Sequence, residues 1–584
     1  MDNGEKKISS LFDGRTIFNI PEYQRSYAWE KIQLIDFIND IKNQRRGKSY
    51  FLGTILFEEK GLEDSYEIID VVDGQQRITT IVIFMKCLIT SLKNTSDTEK
   101  EKDELELLSE TYVKHRKQYK LRTQQDDNDF FHSYILEDNE GDSFIRTSSQ
   151  RRLLEAKQYF MNSLSYLSKD ELNEFKYKID ECSRVLVYSV KDTAEATLIF
   201  ETTNDRGRGL TNLEKIKSFM MYKAHMASDE AVNLLLDKIR SRFGEIYREH
   251  ECFNNEIDED SLLQYHFISY CDWTGKDYQL HVYHLKYLIN GLISTGGNEK
   301  TLEYIDTYSK QLKETFYAAK EILNSDITYL RDIFILNRVG NFWPLLIKTF
   351  KCDNSYDKSH FSIVARYLSI YSFRIYVVNQ SRGNTGQSTL FNLAKEFSGD
   401  FNLLYSKLEE LIGFYCNDRT FKLGLMYSDL YERMASKDLC YFYWKYENYL
   451  RMNFQPKSSP MSEQELCSHN SKFKMSIEHI ASQNPRAGVI TDMSIAPDIT
   501  EEFQEKYLHC IGNLTLDPLS ANSSKGNIDF NCKNAGYFIK SSFKCQNELN
   551  EFLDHGKWTD ISINSRAEKI TRFALEQWSA TFKK

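Results

Sequence analysis

Residues 67–80 read EIIDVVDGQQRITT, and this stretch decides the fold of the amino-terminal region. Its first part is rich in β-branched residues, which predicts a buried strand. The Asp73-Gly74 pair then turns the chain into a helix, predicted over Ile78–Leu92. Further strands are predicted at 16–20, 50–57 and 184–189, and a helix at 30–41. The first 90 residues therefore alternate strand and helix signals.

Composition favours a large folded protein. The chain has 584 residues, with 75 basic and 85 acidic side chains and a net charge of −10. At about 150 residues per domain, this length predicts three to four domains. A hydrophobic content of 41% and a charged content of 27% argue against disorder. Because only 7 prolines and 25 glycines occur, long helices are expected. The predicted class is a multidomain α+β protein that is predominantly helical.

Several classes of protein are excluded by simple patterns. No run of about 18 apolar residues indicates a transmembrane helix, and the amino terminus lacks the apolar core of a signal peptide. The 11 cysteines are an odd number without a C-x-x-C pair, which argues against a disulfide framework and a zinc ribbon. These features predict a cytoplasmic protein with reduced thiols and no membrane partner. An acidic total neither indicates nor forbids nucleic-acid binding, since a local basic channel suffices.

Proline positions predict the domain boundaries. Only Pro21 and Pro344 occur in the first 455 residues, whereas five prolines fall in the remainder. The segment QPKSSPMSEQ is therefore interpreted as a linker within residues 453–471. Three domains are predicted: residues 1–225, with a charged helical insertion at about 95–128, a helical region 226–455, and a carboxy-terminal domain 456–584.

The D-G-Q-Q-R segment at residues 73–77 has the composition of an anion site. Free backbone N–H groups at a helix start attract anions. Arg77 adds a guanidinium fork that suits phosphate, and Gln75 and Gln76 add neutral donors. Asp73 either holds Mg²⁺ or caps the helix. No G-x-x-x-x-G-K-[ST] sequence occurs in the chain, which argues against a P-loop NTPase.

Two further segments are rich in polar and aromatic groups. Residues 21–29 read PEYQRSYAW and include Tyr23, Gln24 and Arg25; they form either a functional loop or a surface loop pinned by its aromatic rings. Residues 200–210 read FETTNDRGRGL and include Asn204 and Arg206. That segment is either functional or a tight turn capped by Asn204.

Together, the three segments resemble the amino-terminal domain of the GmrSD restriction endonuclease family. The motifs I-P-x-Y-Q-R-x-Y-x-W, D-G-Q-Q-R-[LI]-T-T and F-x-x-x-N-x-R-G-x-x-L occur in this order over residues 19–217. The resemblance implies a ParB/sulfiredoxin-like α/β domain that binds and hydrolyses a nucleoside triphosphate of unspecified base and helps to sense modified DNA. It implies one nucleotide pocket lined by Tyr23, Gln24, Arg25, Asp73, Gly74, Gln75, Gln76, Arg77, Asn204 and Arg206.

A second constellation lies near the carboxyl end. Metal-assisted hydrolysis of a phosphodiester needs a base, a divalent cation and a group that orients the base. His479 suits the base, since its ordinary pKa lies near 6.5. Glu478 and Asn522 are oxygen ligands suited to Mg²⁺ or Mn²⁺. Asn513 can hold the imidazole through its other nitrogen. Three neighbours stay open as rivals or helpers: Asn527 and Asn531 for the metal, and His509 near the base.

One geometric constraint accompanies this constellation. Neighbours on a strand face opposite ways, so Glu478 and His479 can share a site only at a strand end or an irregular turn. Lysines follow at 525, 533, 540 and 544 with one acid among them. Lys525, Lys533 and Lys540 therefore either contact the DNA backbone or form a solvated helix face.

The spacing of E-H-I, G-N-L-T-L and the following asparagine resembles an HNH (ββα-metal) nuclease and the carboxy-terminal GmrSD domain, over about 465–584. The resemblance implies an NTP-regulated, Mg²⁺- or Mn²⁺-dependent DNA endonuclease or nickase of bacterial anti-phage defence. The implied enzyme is similar to type IV restriction enzymes, which respond to DNA modification. The implied partners are modified double-stranded DNA, a nucleoside triphosphate, and further copies or other defence proteins.

Two alternative functions stay open from the sequence. The chain can be an NTPase with a degenerate nuclease domain, or a nucleotide-hydrolysing DNA-modification sensor without nuclease activity. Residues 226–455 carry no catalytic pattern, and we interpret them as a scaffold, DNA clamp or coupling region.

Overall fold

A computed structural model describes residues 3–139, 145–190, 211–227, 232–253, 256–454, 458–468, 474–483, 503–526, 528 and 530–581. Helices make up 65% of the structure, and the strands form one mixed sheet and two small hairpins. The chain divides into two compact units, residues 1–323 and 324–584. The predicted middle region 226–455 contributes helices to both units.

The first unit is built around a six-stranded sheet with the order β1-β8-β3-β4-β2-β7. Its strands are β1 (Gly4–Lys7), β2 (Thr16–Asn19), β3 (Tyr50–Glu63), β4 (Tyr66–Asp73), β7 (Leu121–Arg122) and β8 (Ser183–Val190), while β5 (Lys114–His115) and β6 (Gln118–Tyr119) form a separate hairpin. Strands β3 and β4 are antiparallel, whereas β2 runs parallel to β4. Because β2 and β4 are parallel, the loops that follow them leave from the same edge of the sheet.

Helices cover the sheet and continue beyond it. A buried apolar cluster between the sheet and the helix Gln75–Asn94 includes Phe18, Phe57, Ile81 and Phe84. Described α-helices of the first unit are Ile8–Phe12, Lys31–Lys42, Gln75–Asn94, Glu99–Tyr112, Gln125–Phe130, Ser148–Leu164, Lys169–Tyr177, Asn212–Ala227, Val232–Glu251, Glu259–Tyr270 and His281–Leu323, the last of which is interrupted at Gly297. Short π-helical turns lie at Phe131–Leu136 and Lys178–Cys182, and a 3₁₀ turn at Asp277–Leu280.

The second unit consists mainly of helices around one hairpin, formed by β9 (Met475–His479) and β10 (Leu514–Pro518). Its described α-helices are Thr328–Leu336, Trp343–Cys352, Ser359–Tyr371, Gln387–Glu396, Phe401–Cys416, Asp418–Leu425, Leu430–Arg433, Ser436–Asn453, Glu463–Leu466, Leu519–Lys525, Phe530–Lys533, Lys544–Asn547 and Asp560–Gln577. Further π and 3₁₀ turns are Ser372–Val378, Gln504–Leu508, Ile511–Asn513, Asn534–Phe538 and Glu548–Phe552.

The predicted strands and helices of the amino-terminal region are confirmed, apart from the charged insertion. The predicted linker is corrected as well. The charged insertion is a helix only over Glu99–Tyr112; the chain then forms the β5–β6 hairpin and adds β7 beside β2. The segment after Asn453 is also not a free linker in its described part. Its Met461 carbonyl accepts a hydrogen bond from Trp444 Nε1 at 2.8 Å, so it packs on the preceding helix. The sequence also predicts a helix at 195–200, and this segment lies outside the described residues.

Among the described residues, one helical segment, Ser359–Val378, is long and apolar enough to cross a membrane. Its mean hydropathy is 1.2, and 83% of it is buried inside the protein. Core helices of this kind pass the same test of length and composition, so the segment is weak evidence for a membrane span.

Candidate functional site

The first candidate site begins where β4 ends and the helix Gln75–Asn94 starts. Gly74 precedes the helix with φ 88°, a left-handed conformation that glycine adopts without a steric cost. The two motifs predicted to share a pocket do meet here, because the 21–29 loop follows β2 at the same sheet edge. Asn204 and Arg206, the remaining predicted pocket residues, lie outside the described residues.

Arg77 contacts the neighbouring strand. Its Nη1 donates to the Thr54 carbonyl oxygen at 2.9 Å. A Cβ placed on Gly53, which has φ +113°, would lie 2.7 Å from Arg77 Nη2. The guanidinium therefore occupies space that a side chain at Gly53 would take. The sequence predicts that Arg77 binds phosphate. In the structure, at least one nitrogen of its guanidinium instead bonds to β3 and joins the helix to that strand.

Asp73 is a carboxylate in an unfavourable environment. Burial raises its pKa to about 6, while the Arg77 charge and a hydrogen bond from the Gly74 backbone oppose the increase. Burial also lowers the pKa of Arg77, and Asp73 opposes that change. An additional cation beside Asp73 would favour its ionised form.

Two of the predicted glutamines hold the 21–29 loop in place. Gln76 Oε1 accepts from the Ala28 amide at 2.7 Å, and Gln76 Nε2 donates to the Ser26 carbonyl at 3.0 Å. Gln24 Nε2 donates to the Val72 carbonyl at 2.6 Å. These bonds use the amide groups to join two motifs that lie about 50 residues apart. Gln75 is also buried, at the first turn of the helix.

Tyr23 and Arg25 are less well satisfied. The Tyr23 hydroxyl and Arg25 Nε are buried, and in the described part of the chain neither has a hydrogen-bond partner. Arg25 Nε lies 3.8 Å from Glu214 Oε1, which is an ion-pair distance. Because unsatisfied buried donors are rare in proteins, this corner of the site is a candidate for ligand contact.

The second candidate site lies on the β9–β10 hairpin. Glu478 pairs with Thr515 and His479 with Leu514 in a regular antiparallel register. Side chains alternate along such a ladder, so Glu478 and His479 leave β9 on opposite faces. His479 is the last residue of β9, which is the strand-end position that a shared site requires.

Glu478 is buried among lysines. Its Oε1 lies 2.7 Å from Lys533 Nζ, and the same ammonium also donates to the His479 carbonyl at 2.8 Å. Burial raises the pKa of Glu478, and the charges of Lys533 and Lys525 oppose the increase. Lys525 in turn donates to Asp517 Oδ2 at 2.7 Å.

This burial corrects two of the predicted DNA contacts. Lys525 and Lys533 are 2% and 1% exposed, and each is paired with a carboxylate, so neither presents a free charge to a phosphate. Lys540 is exposed, so its charge is accessible to the phosphates of a DNA backbone. The lysine-rich segment therefore has both buried lysines, Lys525 and Lys533, and an exposed one, Lys540.

Asn522 lies against β9. Its Nδ2 donates to Ser476 Oγ at 3.1 Å and to the Ile477 carbonyl at 3.0 Å. Ser476 is on the same ladder face as Glu478. Asn527 is outside the described residues, and Asn531 is exposed. Asn522 is thus bonded to the strand that carries Glu478, and its role as a metal ligand stays a prediction.

Asn513 does not hold the imidazole as predicted. Its Oδ1 accepts from the Ala481 amide at 2.9 Å and from Trp558 Nε1 at 3.1 Å, while Nδ2 donates to the Leu508 carbonyl at 2.9 Å. The side chain is fully buried. Asn513 therefore fixes the chain just beyond His479 through the backbone, which is a structural role.

Gly512 shows why the G-N-L-T-L motif begins with glycine. A Cβ at this position would lie 2.0 Å from the Ile563 carbonyl oxygen, so any side chain would displace the helix Asp560–Gln577. From that helix, the buried Arg566 donates to the carbonyls of Gly512 and Leu514. The motif is thus held by packing on one side and by a guanidinium on the other.

His509 contacts the imidazole instead. His479 Nε2 lies 3.1 Å from His509 Nδ1, and the Tyr431 ring packs against both imidazoles. His509 Nε2 lies 3.7 Å from the exposed Glu432. Sequence reasoning left His509 as either helper or bystander, and only its position three residues before Gly512 indicated proximity to the motif.

The environment of His479 favours a neutral ring. Burial, together with the nearby His509 and Lys533, lowers its pKa to about 3. A general base has to be neutral before it accepts a proton, and His479 Nε2 also lies 3.2 Å from Gln483 Nε2, which therefore belongs to the surroundings of the base. An anionic phosphate beside the ring would raise this pKa towards the physiological range.

Two family models match the chain. Residues 8–221 match the GmrSD restriction endonuclease N-terminal domain, and residues 416–573 match the GmrSD restriction endonuclease C-terminal domain. No curated protein matches the chain. The two matches place the protein in the class of restriction endonucleases, which are nucleases of phage defence that act on DNA.

The chain belongs to the GmrSD restriction endonuclease family. The resemblance inferred from its motifs is thereby confirmed at both ends of the chain. Residues 222–415, which include the helix Val232–Glu251, lie outside both matched segments.

Proposed function

We propose that this restriction nuclease is a divalent-metal-dependent DNA endonuclease or nickase of the HNH type, regulated by a nucleoside triphosphate and responsive to DNA modification. The observation that carries the nuclease assignment is the buried His479 at the end of β9, next to Glu478 in the chain, with Asn522 of the following helix bonded to the same strand. The ParB-like fold, the nucleotide and the response to modification rest on the family resemblance of residues 8–221.

The oxygen ligands fit a hard divalent cation. Glu478 Oε1 is buried and pairs with the Lys533 ammonium at 2.7 Å, so a metal ion at this oxygen would take the place of that charge. One carboxylate and one amide oxygen leave most positions of a Mg²⁺ shell for water and phosphate oxygens, as is common for this ion. In the described ranges, no group of three or more His, Cys, Asp or Glu side chains is placed to hold a metal ion.

The residues have distinct roles in the proposed reaction. His479 accepts a proton from the attacking water as the water oxygen forms a bond to phosphorus; the bond from phosphorus to the leaving oxygen breaks, and the leaving oxygen takes a proton from solvent. His509 positions the His479 ring through the 3.1 Å contact between the two imidazoles. When bound, Mg²⁺ or Mn²⁺ would neutralise charge on the phosphate and the leaving oxygen. To hold the cation, Glu478 would have to be released from its 2.7 Å ion pair with Lys533.

Plasmid nicking tests the nuclease assignment. We expect supercoiled DNA to be converted to open circles with Mg²⁺ or Mn²⁺, and EDTA to abolish the conversion. His479→Ala should lower the rate by about 10²–10⁴-fold, the usual contribution of a general base. His555→Ala is the matched control, because this histidine of the same unit has a side chain that is 97% exposed. Undiminished nicking by His479→Ala would overturn the assignment.

His509→Gln separates positioning from binding. We expect about a ten-fold decrease in kcat with little change in KM for DNA, since a misaligned base slows proton transfer without loosening the substrate. An increase in KM alone would instead assign His509 to DNA binding.

One observation favours the alternative function, a nucleotide-hydrolysing sensor without nuclease activity. The Lys533 ammonium pairs directly with Glu478. This arrangement is expected where a lysine occupies the position that a metal ion would take. The same assay decides between the two. Absence of nicking with either metal on glucosylated, methylated, phosphorothioated and unmodified DNA, with nucleotide hydrolysis intact, would support the sensor.

A further inference from the structure

Two helices that follow the D-G-Q-Q-R segment in the chain place cationic side chains next to Tyr23 of the 21–29 loop. Lys217, on the helix Asn212–Ala227, is buried and donates to the Tyr23 carbonyl at 3.0 Å. Its ammonium lies 5.6 Å from the Tyr23 ring and 5.4 Å from the Tyr247 ring. The Arg240 guanidinium, on the helix Val232–Glu251, lies 5.5 Å from the Tyr23 ring. We call Arg25, Lys217 and Arg240 the cationic cluster.

The donors of this cluster are incompletely used. Among the described residues, Nε of Arg25 and of Arg240 has no hydrogen-bond partner, and the same holds for the buried hydroxyls of Tyr23 and Tyr247. Buried donors normally find acceptors, because leaving one unpaired is costly. Four unpaired donors around one ammonium therefore point to an acceptor-rich ligand.

The acids around the cluster do not saturate it. Glu214 lies 3.8 Å from Arg25 Nε, and Asp237 accepts from Arg240 Nη1 at 3.0 Å on an exposed surface. Burial lowers the pKa of Lys217 to about 8, with Glu214 opposing and Arg25 and Arg240 adding to the decrease. An anionic ligand would relieve the repulsion among the three cations.

The helix Val232–Glu251 belongs to the site by direct backbone contact. A Cβ on Gly244 would lie 2.8 Å from the Glu22 carbonyl oxygen, so the helix approaches the 21–29 loop as closely as glycine permits. Arg248 Nη1 also lies 3.5 Å from Glu22 Oε2. This helix lies outside the segment that matches the family, so the matched residues alone do not complete the site.

We propose that Arg25, Lys217 and Arg240 bind the polyphosphate chain of the nucleoside triphosphate, and that Arg77 positions the helix start. The inference rests on the proposed nucleotide function and specifies which cations serve it. Arg77 is the less suitable phosphate ligand because its fork is engaged with Thr54 and fills the space over Gly53. The cationic cluster keeps unpaired donors on guanidinium groups, which suit phosphate oxygens.

Calorimetry on the full chain with non-hydrolysable analogues of the four nucleoside triphosphates tests this assignment. Lys217→Gln and Arg240→Gln should each weaken binding about ten-fold or more, because a charge-assisted hydrogen bond is lost. The matched controls are Lys215→Gln and Lys238→Gln, which change exposed lysines two positions away on the same helices. We expect the controls to bind like the unchanged protein.

Competition identifies the part of the nucleotide that is bound. Inorganic tripolyphosphate should displace the analogue, whereas the unphosphorylated nucleoside should not. Displacement by nucleoside alone would overturn the inference. If Lys217→Gln fails to fold, Arg240→Gln decides, since its side chain is 18% exposed and tolerates a polar replacement.

The outcomes separate the two levels of the proposal. If the unchanged protein binds none of the analogues, the nucleotide function itself is wrong, and the inference falls with it. If the unchanged protein binds an analogue and Arg240→Gln binds it equally well, the nucleotide function stands and the cationic cluster is wrong. Arg240→Lys, which keeps the charge, should retain more binding than Arg240→Gln.

Discussion

The helix start at Gly74 and the strand end at His479 both place polar side chains where regular structure stops, but they use those side chains differently. At the first position, Gln24, Gln76 and Arg77 bond to neighbouring backbone and build the site. At the second, the chemistry-bearing groups contact one another, as in the contact between His479 and His509. Motif residues at the amino-terminal site thus mainly provide architecture, whereas those at the hairpin include the candidate reacting groups.

Asn513 is the exception at the hairpin, and its removal should have the largest effect on stability. Asn513→Ala leaves the Ala481 amide, Trp558 Nε1 and the Leu508 carbonyl unpaired in the core. At about 1–3 kcal/mol for each buried group, we expect a loss of about 3–5 kcal/mol in the free energy of unfolding. Urea unfolding followed by Trp fluorescence measures it. A fully stable variant that has lost only nicking would instead give Asn513 the catalytic role predicted from sequence.

Asn522 should behave in the opposite way. Asn522→Ala and Glu478→Ala remove oxygen ligands, so we expect the Mg²⁺ concentration needed for half-maximal nicking to rise about 10-fold or more, with DNA binding retained. Metal titration of nicking and a separate DNA-binding measurement check this. The exposed Asn531→Ala is the control for Asn522. If Asn531→Ala gives the metal phenotype and Asn522→Ala does not, the rival asparagine is the ligand.

Gly53→Ala tests the architectural role of Arg77. The added methyl group would displace the guanidinium, and we expect a loss of about 1–3 kcal/mol in stability together with reduced nucleotide hydrolysis. Gly61→Ala is a matched control on the same strand, since Gly61 also has a positive φ of +104° but nothing within 4 Å of its Cβ position. Equal effects of the two variants would show that backbone strain, and not Arg77, is responsible.

Asp73→Asn should give a smaller effect that depends on pH. The folded pKa of Asp73 is raised to about 6, so the folded state binds an extra proton between about pH 4 and pH 6. Stability from this group is therefore lost as pH rises through that window. We expect Asp73→Asn to stabilise the nucleotide-free protein by about 1–2 kcal/mol at pH 7.5, and the difference to vanish near pH 4. Unfolding midpoints at both pH values measure this, and a destabilised variant at pH 7.5 would contradict the predicted sign.

Local sequence was sufficient for the main elements of the first unit. β-Branched runs predicted β2, β4 and β8, and the Asp73-Gly74 pair predicted the turn into the helix. These signals are local because strand propensity and positive φ depend on a few adjacent residues. The β5–β6 hairpin was missed, because its short strands lie in a charged stretch of helical composition.

The sequence by itself determined the family, the helix start at the D-G-Q-Q-R segment and the identity of the candidate base, since motifs record residue type and spacing. Tertiary structure decided which groups each side chain meets. Lys525 and Lys533 are buried beside carboxylates, the Asn513 side chain bonds to backbone groups, and His509 contacts His479. Such contacts join residues tens of positions apart, and their energies depend on distance and burial, which no local pattern encodes.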